Sequence, residues 1–200
     1  MPAPLEEQDL DGDPFAQFAL WFEQAGIDHF EPEAVALATA DGAGAPAVRM
    51  VLLKQFDERG FVFLTNYDGR KGRELAENPR AAMLFHWDPP GRQVRIEGRV
   101  ERVSTEENAE LVQARARRSR IISMASLQSR PLRSRAELEE RVAELERRYA
   151  GRELPVPDDW GGLRLEPDAF EFWQQGANRF HDRFRYVRDG AGWKIERLFP

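Results

Sequence analysis

The chain has 200 residues, of which 42% are hydrophobic, and its formal net charge at pH 7 is -6. This length supports one core of ordinary size and predicts a single domain. The sequence contains no cysteine, which excludes disulfides, thiolate metal sites and a cysteine nucleophile. Its three histidines, His29, His86 and His181, are far apart in sequence, so we expect no metal site.

The charge and the apolar runs also limit the partners. An acidic chain is not expected to bind nucleic acid in general, and the longest apolar runs are far shorter than the roughly 20 residues of a spanning helix. The first residues are acidic and lack the basic start and apolar stretch of a secretory signal. We therefore expect a cytoplasmic protein that binds neither nucleic acid nor membranes. Arginines concentrate at 115–120, 130–135 and 179–188, and such clusters suit a small anion.

The N-terminal dozen residues contain proline, glycine and acidic residues without a hydrophobic period. We expect residues 1–12 to form a flexible or partner-dependent arm, and residues 13–200 to form the single domain. Asp13 followed by Pro14 predicts the start of a helix. Phenylalanines at helical spacing continue this helix until Gly26.

From about residue 33 to residue 103 the hydrophobic period changes to two, which is typical of half-buried strands. Turn sequences rich in Asp, Gly and Pro separate the segments. A short charged helix is expected between the third and fourth strands, over Asp68 to Asn78, because Pro79 ends it. The predicted antiparallel strands are Ala34–Ala40, Ala47–Phe56, Phe61–Asn66, Ala81–Trp87 and Gln93–Val103.

A helical pattern returns after Ser104 and continues to about residue 127, and Ser134 with Glu137 forms a capping box that opens another helix ending near Gly151. Three further strands are predicted at Ala169–Gln174, Arg183–Arg188 and Trp193–Leu198. Together these elements predict an α+β fold, in which an antiparallel β-barrel or strongly curved sheet carries flanking helices.

The segment from Arg179 to Arg185 carries the most informative pattern. In an extended chain four of its side chains project from one face, namely Arg179, His181, Arg183 and Arg185. The simplest interpretation is a solvated strand face with ion pairs to acidic neighbours. Two phenylalanines alternate with these cations, however, so we expect the opposite face to be buried and the basic face to be rigid. A rigid row of arginines suits bidentate recognition of phosphate or of an electron-rich heterocycle.

A second group of cations lies earlier in the chain. An apolar strand bracketed by cations, Arg49 to Lys54, is followed by Thr65 and by the pair Arg70-Lys71 at a predicted helix start. There the backbone N–H groups and both side chains can converge on one anion. The alternative is that Arg70 and Lys71 are ordinary surface residues.

Several motifs of nucleotide-binding proteins and hydrolases are absent from the sequence. The chain has no Gly-x-Gly-x-x-Gly turn and no Walker lysine pattern, which argues against a Rossmann dinucleotide domain or an NTPase. Gln128-Ser129 follows an apolar segment, and Trp173 stands at a strand end, where an aromatic is more often core than cofactor wall. No serine–histidine–acid or paired-carboxylate pattern stands out. A bound cofactor would therefore have to supply the reactivity.

In chain order, several short blocks resemble the signature blocks of the pyridoxine/pyridoxamine 5′-phosphate oxidase family. The resemblance covers about Asp13 to Pro200, and its most specific block has the pattern Arg-x-His-Asp-Arg. The matching blocks are Arg49–Lys54, Phe63–Asn66, Gly69–Gly72, Arg92–Val94 with Glu97-Gly98, Gln128-Ser129, Glu171–Trp173, Arg179–Arg183 and Arg197–Pro200.

The resemblance implies an FMN-binding split β-barrel, Greek-key-like with flanking helices, which forms a homodimer with one FMN at each of two sites across the subunit interface. The FMN-binding positions that it implies are Arg49, Met50, Val51, Leu52, Leu53, Lys54, Leu64, Thr65, Arg70, Lys71, Gln93, Gln128, Ser129, Trp173 and Arg183. The substrate-binding positions are Lys54, Arg115 and Ser119 for the phosphate, and Arg179, Phe180 and His181 near the pyridine ring. Arg179 and His181 are the implied catalytic residues.

The implied reaction oxidises pyridoxamine or pyridoxine 5′-phosphate to pyridoxal 5′-phosphate with oxygen as acceptor, and releases hydrogen peroxide and, from the amine, ammonia. The flavin would perform the redox step, while the protein supplies anion clamps and orientation.

The chain departs from the family pattern at positions that the resemblance places near the substrate. Leu111 stands where a tyrosine is usual, Ala116 stands where a proline is usual, and Ile122-Ser123-Met124 replaces Gly-Ala-Trp. The arm also lacks the Arg-x-x-Tyr-type segment that can cover the active site. We therefore expect altered substrate affinity rather than altered flavin binding.

Two other functions remain open at this point. One is a related flavin oxidase that acts on another anionic ring compound, as in the phenazine-biosynthesis branch of the same superfamily, although Lys54 argues against this branch. The other is a non-catalytic module that binds flavin or pyridoxal phosphate. The presence of both Arg179 and His181 favours an enzyme, because a flavin carrier has no need for them.

Overall fold

The computed structural model of the chain describes residues 3–29 and 31–200. Within these residues it contains eight strands: β1 (Ala34–Ala40), β2 (Pro46–Asp57), β3 (Gly60–Asn66), β4 (Arg80–Trp87), β5 (Arg92–Arg102), β6 (Trp160–Gln174), β7 (Asp182–Asp189) and β8 (Gly192–Arg197). The α-helices are α1 (Pro14–Asp28), α2 (Arg70–Glu77), α3 (Thr105–Gln113), α4 (Arg117–Ala125) and α5 (Arg135–Arg148).

The strands form one antiparallel sheet in the order β3-β2-β1-β4-β5-β6-β7-β8, and β3 also pairs with β6. This additional pairing closes the first six strands of that order into a barrel. The N-terminal part of β6 pairs with β3, whereas the part from Ala169 to Gln174 pairs with β7. β6 therefore leaves the closed barrel half-way along its length, and β7 and β8 extend the sheet beyond the barrel. The predicted α+β fold with an antiparallel barrel is confirmed.

The sequence predicted only the second half of β6. Its first half begins at Trp160 and contains Gly161-Gly162 and Pro167-Asp168, which are typical of loops. The strand continues through these residues because the pairing with β5 shifts register between Glu97 and Gly98, and such a bulge tolerates a proline. A Cβ atom on Gly98 would lie 1.9 Å from the carbonyl oxygen of Glu166. Only glycine fits at this close approach.

Aromatic side chains from α1 and the barrel strands form the core. Phe18 on α1 is completely buried, and its ring packs edge-on against Phe56, Phe61 and Phe85 at centroid distances of 4.9, 4.8 and 5.0 Å. Burying one such ring contributes about 2–3 kcal/mol. The helical spacing of phenylalanines seen in the sequence thus reflects the face of α1 that packs on the barrel.

The segment expected to be a flexible arm packs against the C-terminal hairpin in the structure. Leu5 is buried in the core cluster, and its N–H donates to Asp182 Oδ2 at 2.9 Å. Arg197 Nη2 donates to the carbonyl oxygen of Leu5 at 2.9 Å. Order therefore begins before Asp13, because the arm finds partners on β7 and β8 that are distant in sequence. Met1 and Pro2 lie outside the described residues.

The helical stretch predicted from Ser104 to about residue 127 is two helices, α3 and α4, separated by a turn at residues 114–116. α5 begins at the predicted capping box, where the N–H of Glu137 donates to Ser134 Oγ at 3.2 Å. α5 packs on α4 at the surface, so its apolar face is only half-buried. Among the described residues, no helix combines the length and the apolar character needed to cross a membrane.

Candidate cofactor and substrate site

The outer face of the sheet runs continuously from β2 to β8. Residues that pair across antiparallel strands point to the same side, so the register defines rows of side chains on this face. One row contains Met50, Ala36, Leu84, Arg95, Glu171, Arg185 and Glu196. The face is therefore apolar on β1, β2 and β4, and charged on β5 to β8.

The apolar half of this face is exposed in the single chain. Val48 is 70% exposed and Met50 is 63% exposed, and Leu52 and Leu84 lie beside them. Alanines of β1 fill the space between these larger side chains. A contiguous exposed apolar patch of this kind marks an interaction surface.

Strand alternation divides the predicted cofactor segment Arg49–Lys54 between two faces. Arg49, Val51 and Leu53 point to the barrel side, while Met50, Leu52 and Lys54 point to the outer face. A single ligand therefore meets only one of these two sets through side chains. The sequence already shows this alternation, but the resemblance to the family implied FMN binding for all six positions.

At the start of α2 the structure brings together several predicted cofactor residues. Lys71 Nζ donates to Thr65 Oγ1 at 3.1 Å and to Gln128 Oε1 at 2.7 Å. The N–H of Arg70 donates to Ser129 Oγ at 3.1 Å. The linker that follows α4 thus reaches the first turn of α2, where the free N–H groups of a helix favour an anion.

A buried carboxylate that the sequence analysis missed organises these cations. Glu74 accepts hydrogen bonds from Arg49 Nη2 at 2.9 Å, Arg70 Nε at 2.7 Å and Thr39 Oγ1 at 2.5 Å. Burial acts to raise the pKa of Glu74, but these hydrogen bonds outweigh it and hold the pKa below its ordinary value. The i, i+4 spacing of Arg70 and Glu74 was the only sequence signal for this role.

The charge balance at this cluster fits a phosphate group. Arg49, Arg70 and Lys71 are three cations around one carboxylate, Glu74. Burial is the main cause that lowers the pKa of Lys71, and the positive charge of Arg49 adds to this effect. A dianionic phosphate at the α2 N-terminus would neutralise the excess positive charge and accept hydrogen bonds from the same donors. The residues present therefore fit the phosphate end of FMN.

A second cluster lies on the charged half of the outer face. The rings of Trp173 and His181 are 4.7 Å apart between centroids, and Gln93 pairs with Trp173 across β5 and β6. Arg183 Nε donates to Glu171 Oε1 at 2.9 Å, and Arg95 also donates to this buried carboxylate. Four of the predicted site residues, Gln93, Trp173, His181 and Arg183, thus share one surface.

Arg179 and Phe180 differ from the sequence prediction. Residues Ala177–Arg179 form a 3₁₀ turn in which Arg179 has a φ of 66°, and β7 begins only at Asp182. Phe180 is 79% exposed, although alternation had predicted that it would be buried. The turn interrupts the alternation, so the row of cations on β7 does not include Arg179, and Asp182 and Phe184 occupy the buried face.

The residues predicted to bind the substrate phosphate lie in different elements. Arg115, in the turn between α3 and α4, stacks over Trp160 at 4.3 Å and donates through Nη1 to Ser123 Oγ at 2.9 Å. Lys54 is exposed on β2, and Ser119 lies on α4. Within the described part of the chain, no hydrogen bond or ion pair joins Lys54 or Arg115 to Arg179 or His181. The single chain therefore presents two separate groups of predicted substrate residues.

Sequence profiles and similar proteins identify the family of the chain. The profile described as "Pyridoxamine 5'-phosphate oxidase" matches residues 24–149, and the profile described as "Pyridoxine 5'-phosphate oxidase C-terminal dimerisation region" matches residues 160–200. The pyridoxine/pyridoxamine 5′-phosphate oxidase of Rubrobacter xylanophilus is 53% identical over 99% of this chain and 92% of its own length. The protein of the same name from Janthinobacterium sp. is 50% identical over 99% of this chain and 94% of its own length.

Solved structures show the same architecture. PhzG from Burkholderia lata 383, in complex with tetrahydrophenazine-1-carboxylic acid, is 37% identical with a TM-score of 0.91, over 96% of this chain and 95% of that chain. A pyridoxamine 5′-phosphate oxidase-related, FMN-binding protein from Nostoc punctiforme has a TM-score of 0.73 at 18% identity, over 94% of this chain and 98% of that chain, which bears on the fold alone. The split barrel, the phosphate-fitting cluster and 53% identity along almost the whole chain together show that the chain belongs to the pyridoxine/pyridoxamine 5′-phosphate oxidase family and takes FMN as its cofactor.

Proposed function

We propose that the chain oxidises pyridoxamine 5′-phosphate and pyridoxine 5′-phosphate to pyridoxal 5′-phosphate, in the biosynthesis and salvage of this vitamin B6 cofactor. Oxygen is the acceptor, and the products include hydrogen peroxide and, from the amine, ammonia. The observation that supports this most is the arrangement of His181 beside Trp173 and Arg183 on one exposed face. A ring-shaped substrate needs such an aromatic and cationic surface next to the flavin.

The cofactor phosphate would be held at the start of α2 by Arg49, Arg70, Lys71 and Thr65. Glu74 keeps the two guanidiniums at this position, and Gln128 keeps the ammonium there. When bound, FMN would supply the redox chemistry, namely acceptance of a hydride equivalent and its transfer to oxygen. The remaining work of the protein is binding, orientation and exclusion of water.

The substrate would be held at both ends. Arg115, Ser119 and Lys54 would bind its phosphate, and Arg179 and His181 would orient its pyridine ring. Trp173 limits the motion of His181, because their rings are in contact. Phe180 is exposed in the single chain and would cover the ring of the substrate once the site is closed.

We infer that the partner subunit of a homodimer covers the outer face. The family's dimerisation region spans residues 160–200, which include the strands β6, β7 and β8 of the charged half of this face. Val48 and Met50 supply an exposed apolar half. Pairing two copies through this face would bury the apolar patch and bring the two groups of substrate residues, separate within one chain, to a shared site.

A second candidate substrate deserves the same test, because the PhzG structure at 37% identity holds tetrahydrophenazine-1-carboxylic acid. Leu111 on α3 and Ile122 on α4 are apolar, which would suit a larger tricyclic compound. Lys54, Arg115 and Ser119 are all present, however. Three donors of this kind suit a phosphate better than a single ring carboxylate.

The proposal is tested by aerobic turnover of the FMN-loaded protein with each vitamer phosphate and with tetrahydrophenazine-1-carboxylic acid. We expect pyridoxal phosphate and peroxide from both vitamers, and ammonia from the amine alone. Turnover of the phenazine precursor without turnover of either vitamer would contradict the proposal and favour the second candidate. Flavin binding without any turnover would favour a non-catalytic module.

A further inference from the structure

Ser123 lies on α4, and the structure gives its hydroxyl two partners. Arg115 Nη1 donates to Ser123 Oγ at 2.9 Å, and Ser123 Oγ donates to the carbonyl oxygen of Ser119 at 2.9 Å. On its other side the Arg115 guanidinium stacks over Trp160 at 4.3 Å. The Arg115 side chain is therefore held at two points before any ligand arrives.

We propose that Ser123 is a positioning residue that holds Arg115 for the phosphate monoester of the substrate. This inference rests on the proposed function and specifies how the phosphate end of that site is built. Because Ser123 engages Nη1, the Nε and Nη2 edge of Arg115 stays available, and that edge has the fork geometry that binds two phosphate oxygens at once. Within the described residues, neither this edge nor Ser119 Oγ makes a hydrogen bond.

The charge around Arg115 points to the same ligand. Within the parts of the chain that the structure describes, no carboxylate lies within the 4.0 Å ion-pair distance of Arg115 or of Arg120. Burial and the neighbouring Arg120 lower the pKa of Arg115. The Arg120 side chain donates through Nη2 to the carbonyl oxygen of Leu154 at 2.8 Å, and among the described residues its buried Nε has no hydrogen-bond partner. Half-buried cations without a counter-ion are stabilised by an anion, and the α4 N-terminus begins beside them.

The contact between Ser123 and Arg115 has a consequence for the affinity of the site. A guanidinium that is already immobilised binds more tightly, because ordering one long side chain otherwise costs affinity by roughly three- to tenfold. Ser123 thus contributes to phosphate affinity through the preorganisation of Arg115.

The test compares Ser123→Ala with Ser123→Thr in the FMN-loaded protein. We expect S123A to weaken inorganic phosphate binding, measured by perturbation of the flavin spectrum, by about three- to tenfold, and to raise KM for pyridoxamine 5′-phosphate by the same factor with kcat little changed. S123T keeps the hydroxyl and should behave as wild type. Pyridoxamine, which lacks the phosphate, should react equally poorly with all three proteins.

Two results would overturn the inference. The first is that S123A binds phosphate as tightly as wild type, while Arg115→Gln loses phosphate binding. The second is that S123A reacts less well with pyridoxamine and with pyridoxamine 5′-phosphate by the same factor. The phosphate titration needs no turnover, so it tests the role of Ser123 even if the protein oxidises neither vitamer. Absence of oxidation would contradict the proposed function but not the role of Ser123. Retention of the flavin spectrum and of the melting temperature shows that each variant is folded.

Discussion

Lys71 is the residue at which the cofactor site is most directly tested. Its ammonium is held by Thr65 and Gln128, next to the Arg49–Glu74 pair. We predict that Lys71→Met weakens FMN binding by about 10- to 100-fold, the effect of losing a hydrogen bond to a charged group. Riboflavin, which lacks the phosphate, should bind to K71M and to wild type equally well. Quenching of flavin fluorescence measures both affinities, and an equal loss for the two ligands would contradict the assignment.

The same residue predicts a pH dependence. Burial and the charge of Arg49 lower the pKa of Lys71 in the protein without ligand, so its ammonium is lost at a lower pH than that of a free lysine. FMN affinity should therefore fall as the pH rises through this pKa. Lys71→Arg keeps a charged donor at all these pH values and should remove the fall. A decrease that is the same in K71R and wild type would assign the titration to another group.

Arg179 tests the division between substrate and cofactor residues. It lies in the turn before β7, and it makes no hydrogen bond or ion pair with another described residue. We predict that Arg179→Ala lowers turnover by about a hundredfold or more, because the ring of the substrate loses its orientation, while the protein remains yellow. Arg188→Ala, a surface change on β7, is the matched control and should keep wild-type turnover. Loss of flavin in R179A would assign Arg179 to the cofactor instead.

At the level of elements, the start of β7 is held from its buried side. Asp182 accepts from the N–H of Leu5 at 2.9 Å and from Arg197 Nη1 at 3.1 Å, and its neighbours in sequence, His181 and Arg183, face the site. The arm and β8 therefore position the segment that we propose to bind the substrate ring.

A comparison of Asp182→Asn with Leu5→Ala distinguishes a role in positioning the start of β7 from a role in stability. We predict that Asp182→Asn lowers kcat/KM for pyridoxamine 5′-phosphate by about tenfold, since a weakened charged hydrogen bond lets the segment move. Leu5→Ala keeps the backbone bonds of the arm but leaves a cavity, and costs about 2–5 kcal/mol of unfolding free energy. It should lower the melting temperature and leave kcat/KM nearly unchanged. Parallel losses of activity and melting temperature in both variants would show that the contact is structural only.

The elements also show what the sequence could predict. The regular alternation in Ala34–Ala40 and in β5 identified these strands within about a residue, because one face of each is buried along its whole length. The sequence did not predict the first half of β6, because glycine and proline usually indicate turns. Here the glycines and Pro167 allow close packing against β5 and α3.

In the candidate site, too, some features could be predicted from local sequence and others could not. The cations of the α2 cluster could be identified from residue type and helix position alone. The buried partners Glu74 and Glu171, the turn at Arg179 and the docking of Leu5 depend on contacts between segments far apart in the chain. Local pattern therefore predicts which groups are available, whereas tertiary packing decides how they are held.

At the scale of the whole molecule, the apolar half of the outer face predicts the oligomeric state. Met50→Asp places a charge in this patch and should shift the protein from dimer to monomer in sedimentation velocity. Ile27 is 81% exposed on α1, outside the patch, so Ile27→Asp is the matched control and should remain dimeric. A dimeric M50D with full FMN content would place the interface elsewhere.

We propose above that this flavoprotein takes its electrons from a vitamin B6 phosphate. The most direct measurement is to mix the FMN-loaded protein with pyridoxamine 5′-phosphate in the absence of oxygen and to follow the visible absorption of the flavin. We predict that the absorption bleaches, that it returns when oxygen is admitted, and that one pyridoxal phosphate appears per flavin reduced. A flavin that stays oxidised with both vitamer phosphates but bleaches with tetrahydrophenazine-1-carboxylic acid would contradict the account.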